Sequence, residues 1–342
     1  MRIVTRFIFI PLSVMFLFKA TLCCGQIRVT QGITFPKTFS IFKKDTVDHP
    51  GSKEWKLVFE DNFDGEKPDG SKWIFGPPWG SVFSFSNKDR NDSSQNGGAE
   101  CARQENLVVH DGRLKLMIKK EEYISNTSYD KTDSAIQPDG FPCRRIFHYT
   151  SGVLYSKQKF TSGKFEIRCK LPQIDGLWPA FWLFGDCSQE FDVFEFLNED
   201  FPDRTEVCNR QLHMTYHRQA VCNDPKTWCS HGSTITDTLD YTKDFHTFSV
   251  EWDAYQITWK VDGKIRKVVY GIKRYRRNKF VDENKIRKGK RYRLFKVMPE
   301  EHPMSIIVSC GVTNYGNAQK PLIRGTFPAV FEIDYIRAYS RN

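Results

Sequence analysis

Long helical periodicity is almost absent from this 342-residue sequence, and no internal repeat is visible. It also lacks a Gly-x-Ser-x-Gly motif and a glycine-rich phosphate loop, which argues against the commonest serine-nucleophile and nucleotide-binding chemistries. Beyond residue 25, no apolar run approaches the ~20 residues that a membrane-spanning helix needs. These absences leave no signal for a helical, repeat or nucleotide-binding protein, and we expect no transmembrane segment.

The N-terminus has the order of a secretory signal. Two arginines precede an apolar run over residues 7–18, and small residues follow. We therefore expect residues 1–25 to be a signal peptide and the protein to be secreted or periplasmic. Cys23 would suggest a lipid anchor, but Leu22 before it is a poor match to the small residue of a bacterial lipobox, so we favour no anchor.

The rest of the chain has the features of strands. Short β-branched and aromatic runs, bounded by Gly, Pro, Asn and Asp, follow one another, and KFEIRCKL and QITWKVDG alternate apolar with polar residues. We predict an N-terminal arm over residues 26–53 and a single all-β domain over residues 54–342. Loop insertions are expected near residues 83–104, 199–232 and 264–300.

Eight cysteines follow the predicted signal peptide. An even number in an exported chain favours disulfides, although the pairing stays open and some could be buried apolar side chains. Cys208, His213, His217 and Cys222 are also spaced as a set of potential zinc ligands. Structural zinc sites usually pair their cysteines as C-x2-C, so disulfide cysteines near cleft histidines explain this stretch better.

Basic charge is concentrated in one segment. Residues 264–293 contain fourteen Lys or Arg against two acids, a net +12, so the remainder carries −2 of the total +10. Three tyrosines lie among these cations. The segment could bind an anionic polymer or could be a solvated loop. Because we expect export, a sulfated polysaccharide is favoured over nucleic acid as the partner.

Three acids interrupt an apolar strand at residues 190–196, EFDVFEF. Acids without partners are costly in a buried strand, which favours a cleft that keeps them hydrated. Strict alternation would place Glu190 and Asp192 on one face and Glu195 on the other. A β-bulge at Val193–Phe194 would change the parity and bring all three to one face. The run GLWPAFWLFG lies just upstream, and exposed indoles of this kind form platforms for sugar rings.

These residues resemble glycoside hydrolase family 16, the laminarinase, agarase and carrageenase group. Its E-x-D-x-x-E signature reads Glu190-Phe-Asp192-Val-Phe-Glu195 here, and further segments such as TSGKFEIRCKLP and FEIDYIRAYS match in the expected order. The resemblance covers about residues 55 to 340. It implies a concanavalin-like β-jelly-roll sandwich of two antiparallel sheets with a substrate cleft on the concave face.

The resemblance also implies the roles of individual residues. Glu190 would be the nucleophile, Glu195 the general acid/base and Asp192 their assistant in a retaining, endo-acting hydrolase that needs no cofactor for catalysis. Many members bind a structural Ca²⁺ on the convex side. The residues that match cleft positions are Trp178, Trp182, Arg168 and His213, and those that resemble calcium ligands are Asp334 and the carbonyl of Gly112.

The substrate stays open between β-1,3-glucan and a sulfated or otherwise anionic galactan. The first is the default, whereas the loop VSCGVTNYGNAQKP, Ser162 and the basic insertion depart from the laminarinase pattern. A transglycosylase would use the same acids, and a non-catalytic binding protein on this fold is the rival from another class. We favour an enzyme because the chain keeps all three acids, and we expect it to be a monomer.

Overall fold

The computed structural model describes most of the predicted domain. The described residues are 54–76, 100–125, 145–174, 176–186, 189–196, 210–219, 222, 224, 226, 228–253, 255–274, 277–282, 285–286, 293–294, 302–312 and 325–341. The predicted signal peptide, the arm and Cys208 lie outside them. No helix among the described residues is long and apolar enough to cross a membrane.

The described residues form nineteen strands and a short 3-10 helix at Gln104–Asn106. In chain order the strands are β1 Lys56–Asp61, β2 Trp73–Phe75, β3 Glu100–Ala102, β4 Leu107–Val109, β5 Leu114–Ser125, β6 Arg145–Ser151, β7 Val153–Phe160, β8 Gly163–Lys170, β9 Leu177–Gly185, β10 Glu190–Glu195, β11 Gln211–Gln219, β12 Trp228–Thr236, β13 His246–Trp252, β14 Gln256–Val261, β15 Lys264–Arg274, β16 Arg277–Asp282, β17 Arg293–Leu294, β18 Met304–Val312 and β19 Ala329–Ser340.

Two sheets pack against each other and confirm the predicted all-β sandwich. One has seven strands in the order β12-β11-β10-β9-β18-β7-β2. The other has twelve, with the path β16-β15-β14-β13-β8-β19-β5-β6-β3 and with β1, β17 and β4 attached to β19, β15 and β5. The described strands pair antiparallel, apart from β3 with β6. One continuous apolar core lies between the sheets.

Alternation within the strands decides which side chains enter this core. In β8, Phe165, Ile167 and Cys169 are buried in the core, while the residues between them are partly exposed. In β11, Leu212 and Met214 are buried in the same way. Period-2 alternation therefore builds one dry face and one wet face on these strands.

All three predicted loop insertions contain strands, so the loop prediction was wrong there, and residues 83–104 include β3. Residues 199–232 include β11 and the start of β12, which together extend the seven-stranded sheet. Residues 264–300 include a hairpin of β15 and β16, in which Arg274 pairs with Arg277. The hairpin continues the sheet because β15 pairs with β14, and these ladder hydrogen bonds do not depend on side-chain type.

Candidate active site

The middle of the seven-stranded sheet carries the three acids on β10. Against β9, Asp192 pairs with Trp182 and Phe194 with Phe181, so Val193 is the extra residue. Against β11, the register also shifts between Asp192 and Glu195. The predicted bulge at Val193–Phe194 is therefore confirmed.

The bulge sorts the side chains of β10 into two groups. Phe191, Val193 and Phe194 enter the core, with two of them adjacent in sequence. Phe191 stacks on Trp252 of the opposite sheet, with ring centroids 4.6 Å apart. Because two consecutive residues face inward, Glu195 returns to the side of the sheet that carries Asp192. We call this outward side the carboxylate face.

A tryptophan of the twelve-stranded sheet completes the backbone hydrogen bonds of the bulge. Trp259 on β14 is 1% exposed, and its Nε1–H donates to the carbonyl oxygen of Asp192 at 3.0 Å. A bulge interrupts the ladder, and a buried carbonyl without a donor costs about 1–3 kcal/mol. The opposite sheet therefore supplies a hydrogen bond at the residue next to the bulge.

Asp192 is the most enclosed of the acids, with 1% of its surface exposed. A carboxylate oxygen of Glu190, one of Asp192 and a ring nitrogen of His217 lie within 4.8 Å of one another. Burial raises the pKa of Asp192 to about 8, and hydrogen bonding to Glu195 and Glu190 opposes this shift. Two neighbouring carboxyl groups in a dry site hold protons that isolated carboxyl groups would lose at neutral pH.

The pKa of Glu190 is also raised, to about 8. Burial is the main cause, repulsion from Asp192 adds to it, and the nearby His217 lowers it. Glu190 therefore depends on its neighbours to be ionised at neutral pH. Repulsion between the two carboxylates makes loss of the second proton harder than loss of the first.

The tryptophans predicted for the cleft lie beside these acids on β9. Trp178 is partly exposed, and its Nε1–H donates to Glu195 Oε1 at 3.0 Å, which orients this carboxyl group. Trp182 pairs directly with Asp192 but is only 5% exposed, and its Nε1–H donates to Ser309 Oγ at 3.2 Å. Trp178 is therefore the better placed of the two to contact a sugar.

The histidines of β11 complete the site. His213 pairs with Glu195 across the strands, and its Nδ1 lies 2.9 Å from Thr234 Oγ1. His217 pairs with Glu190, and its Nε2 lies 3.3 Å from Asp192 Oδ2. From the sequence, His217 was considered as a potential zinc ligand or a cleft histidine, and it was given no catalytic role. Its spacing of four residues from His213 in a strand was the available signal, because it places both rings on one face.

The zinc set loses one of its ligands in this structure. Cys222 is disulfide-bonded, so its sulfur is not a thiolate ligand. Cys101, Cys169 and Cys310 are buried thiols. Burial raises the pKa of Cys169 and Cys310, as expected for apolar side chains of the core.

Arg168 does not lie on the carboxylate face, which contradicts the prediction that it lines the cleft. It lies on β8 of the twelve-stranded sheet, on the side turned away from the core. Its guanidinium forms an ion pair with Asp334 and stacks over the ring of Phe245, 5.0 Å from the centroid. The sandwich therefore separates Arg168 from the acids.

The same ion pair bears on the predicted calcium ligands. Gly112 lies in the turn between β4 and β5 with φ +65°, so it adopts a left-handed conformation that suits glycine. The carboxylate of Asp334, however, already neutralises Arg168, and a calcium ion would compete with that guanidinium. This donor set does not fit a structural calcium ion.

Comparison with known proteins gives the family. The family model described as glycosyl hydrolases family 16 matches residues 96–280, more than half of the chain. A β-glucanase of Rhodothermus marinus is 25% identical over 299 residues, which cover 83% of this chain and 85% of that protein. A κ-carrageenase of Pseudoalteromonas carrageenovora is 29% identical over 210 residues, which cover 57% and 51%.

A solved structure gives the same fold. The laminarinase catalytic domain of Thermotoga maritima superposes with a TM-score of 0.54 at 24% identity, and the match covers 85% of this chain and all of that one. At this identity the likeness establishes the jelly-roll fold alone. Together with the family match and the bulged strand, it leads to one conclusion: the chain belongs to glycosyl hydrolases family 16.

Proposed function

We propose that the protein is an endo-acting, retaining hydrolase of a β-linked polysaccharide, with Glu190 as nucleophile and Glu195 as general acid/base. The observation that carries the proposal is the bulge in β10, which brings Glu190, Asp192 and Glu195 to one face of the sheet. Retaining glycosidases need two carboxyl groups on opposite sides of the scissile bond, about 5–5.5 Å apart.

The reaction follows from the positions of these groups. Glu195, oriented by Trp178, donates a proton to the leaving oxygen while the Glu190 carboxylate attacks the anomeric carbon. Asp192 lies between them in the strand, with one of its carboxyl oxygens within 4.8 Å of a carboxyl oxygen of Glu190. Water then attacks the glycosyl-enzyme and gives its proton to Glu195, so the product keeps the anomeric configuration of the substrate.

Two variants with azide rescue test the roles of the glutamates. Replacing Glu190 by glycine removes the nucleophile, so azide should restore turnover and give a glycosyl azide of inverted configuration. Replacing Glu195 by glycine leaves the covalent intermediate to be attacked by azide, which gives a product of retained configuration. Near-wild-type hydrolysis by either variant without azide would refute the assignment.

The substrate is proposed as β-1,3-glucan. The β-glucanase of Rhodothermus marinus supports a β-glucan, and a glucan endo-1,3-β-glucosidase of Cryptopygus antarcticus, 27% identical over 223 residues, supports the β-1,3 linkage. Reducing ends released from laminarin, mixed-linkage glucan, agar, porphyran and carrageenan would be compared. Chains longer than the starting oligosaccharide would reveal transglycosylation, and the absence of product from every polysaccharide would favour a binding protein.

An anionic galactan is the second candidate. The segment over residues 264–293 carries a net +12, and a κ-carrageenase is among the relatives. Its β15–β16 hairpin extends the twelve-stranded sheet next to β14. Cleavage of carrageenan or porphyran that weakens steeply with salt, with laminarin untouched, would favour this candidate over β-1,3-glucan.

We also propose that the protein is exported as a monomer. The charged and apolar order of residues 1–25 supports a cleaved signal peptide, and the disulfide at Cys222 suits an oxidising compartment. Recovery of the mature protein from the culture medium or the periplasm, beginning near residue 26, would test export. Light scattering of the purified protein would test the monomer.

A further inference from the structure

Two histidines of β11 contact hydroxyl groups of the edge strand β12 in the same way. His217 pairs with Ser230 and His213 with Thr234, each directly across the two strands. The Nδ1 atoms lie 2.7 Å from Ser230 Oγ and 2.9 Å from Thr234 Oγ1. Each ring therefore contacts β12 through Nδ1, and in His217 the opposite nitrogen, Nε2, points to Asp192.

The His217 contact continues to a tryptophan. Trp228 on β12 donates its Nε1–H to Ser230 Oγ at 3.0 Å. The same indole stacks on the His217 ring, with centroids 5.3 Å apart and planes inclined by 28°. His217 is thus held by a ring contact on one side and by a hydroxyl group at Nδ1.

The chemistry of these groups indicates which of them donates in each hydrogen bond. An indole nitrogen only donates, so Ser230 Oγ accepts from Trp228 and keeps its own proton for a second partner. That partner is His217 Nδ1, at 2.7 Å. When Nδ1 of a neutral imidazole accepts, the proton of the ring is on Nε2, which faces Asp192 Oδ2.

We propose that Trp228 and Ser230 are positioning residues that keep His217 as an Nε2–H donor to Asp192, so that the Glu190–Asp192 pair can give up its last proton and free the nucleophile. The proposal rests on the proposed function and adds three residues to it. A donor aimed at a carboxylate stabilises the ionised form.

His217 is the neighbour of Asp192 that we expect to stabilise its ionised form. Among the described residues, the titratable groups that interact with Asp192 are Glu190 and Glu195 on its own strand and His217 on β11. On β9, the residue that pairs with Asp192 is Trp182, which carries no charge. Of these groups His217 is the one that can carry a positive charge, and it lowers the pKa of Glu190.

The kinetic test compares pH profiles. In Ser230→Ala and in Trp228→Phe, which retains an aromatic ring, the acidic limb of kcat/KM should move up by about half to one pH unit, the equivalent of one hydrogen bond. Ser230→Thr should restore the wild-type profile. Thr236→Ala, at the exposed end of β12, is the matched control and should leave it unchanged. An unshifted limb in Ser230→Ala, even with a lower melting temperature, would show a purely structural role and overturn the proposal.

A second measurement needs no activity. Nitrogen-15 NMR of labelled histidine, with His217→Gln used for assignment, reports which ring nitrogen carries a proton. Nε2 protonated with Nδ1 unprotonated in the wild-type protein supports the proposal, whereas an unprotonated Nε2 or a protonated Nδ1 overturns it. Failure of the proposed function would instead appear as no hydrolysis of any polysaccharide with this NMR result intact.

Discussion

Replacing Trp259 by phenylalanine asks whether the twelve-stranded sheet fixes the shape of the catalytic strand. Phenylalanine keeps an aromatic ring in the core but removes the N–H that donates to the Asp192 carbonyl at 3.0 Å. Loss of the donor to a buried carbonyl should cost about 1–3 kcal/mol of unfolding free energy. The unfilled volume should add on the order of 1 kcal/mol.

The effect on turnover should be larger than stability alone explains. Glu195 returns to the carboxylate face only through the bulge, so a relaxed bulge moves it relative to Glu190. A misplacement of about 1 Å can cost on the order of a hundredfold in rate. We expect kcat to fall at least tenfold while KM changes far less, because the aromatic residues of the cleft stay in place.

Trp73→Phe is the matched control. Trp73 is 1% exposed, lies on β2 at the end of the seven-stranded sheet away from β10, and donates its Nε1–H to Asp61 Oδ2 at 2.6 Å. Urea unfolding gives the stability of each variant, and kcat is measured at a temperature where all are folded. If both variants lose stability equally and keep equal kcat, the bulge does not depend on Trp259, and the reasoning is refuted.

Three further predictions follow. Folding raises the pKa of Glu190 from 4.5, and that of Asp192 from 3.8, to about 8. Between pH 4 and pH 8 the folded protein therefore binds more protons than the unfolded chain, so its stability falls as the pH rises across this range. Asp192→Asn should therefore raise the melting temperature relative to wild type more at pH 8 than at pH 4, and an equal difference at both would contradict the raised pKa values. Arg168→Gln should lower the melting temperature and leave KM unchanged, and a higher KM would show that Arg168 contacts the substrate. A chelator should not change the melting temperature of the wild-type protein, because Asp334 is paired with Arg168 and not with a calcium ion. Neutralising three arginines of the basic segment should weaken binding of an anionic polysaccharide and flatten its salt dependence, and unchanged affinity would mark a solvated hairpin. These three positions are Arg274, Arg276 and Arg277.

The shape of β10 was predictable because its three acids need one hydrated face, whereas strict alternation would place Glu195 on the opposite face. Three acids in EFDVFEF need one wet face, and the spacing from Glu190 to Glu195 allows this only with an extra residue. The sequence also contained the signal that places Arg168 outside. In KFEIRCKL the apolar residues Phe165, Ile167 and Cys169 mark the core side, so the arginine between them faces away. The family resemblance placed Arg168 in the cleft despite that alternation, and this placement was wrong.

Other contacts could not be predicted because they depend on how distant strands are aligned. The alternation in QITWKVDG predicts that Trp259 enters the core, but its acceptor on Asp192 follows from the packing of one sheet on the other. The pairing of His217 with Ser230 requires the register of β11 and β12, and the sequence of β12 specifies it weakly because this strand is largely polar and contains Gly232. The strands of the basic segment were missed since Lys and Arg are poor indicators of β-structure.

The position of β16 indicates a role for the basic segment that does not involve the substrate. Among the described residues, β16 pairs with β15 alone and ends the path of the twelve-stranded sheet. An edge strand presents unpaired N–H and C=O groups on which another chain can add a strand, and proteins commonly discourage this with lysine or arginine. Residues 264–293 repel a second copy of the same edge through their net +12. The charge would then protect the enzyme from aggregating through its own sheet.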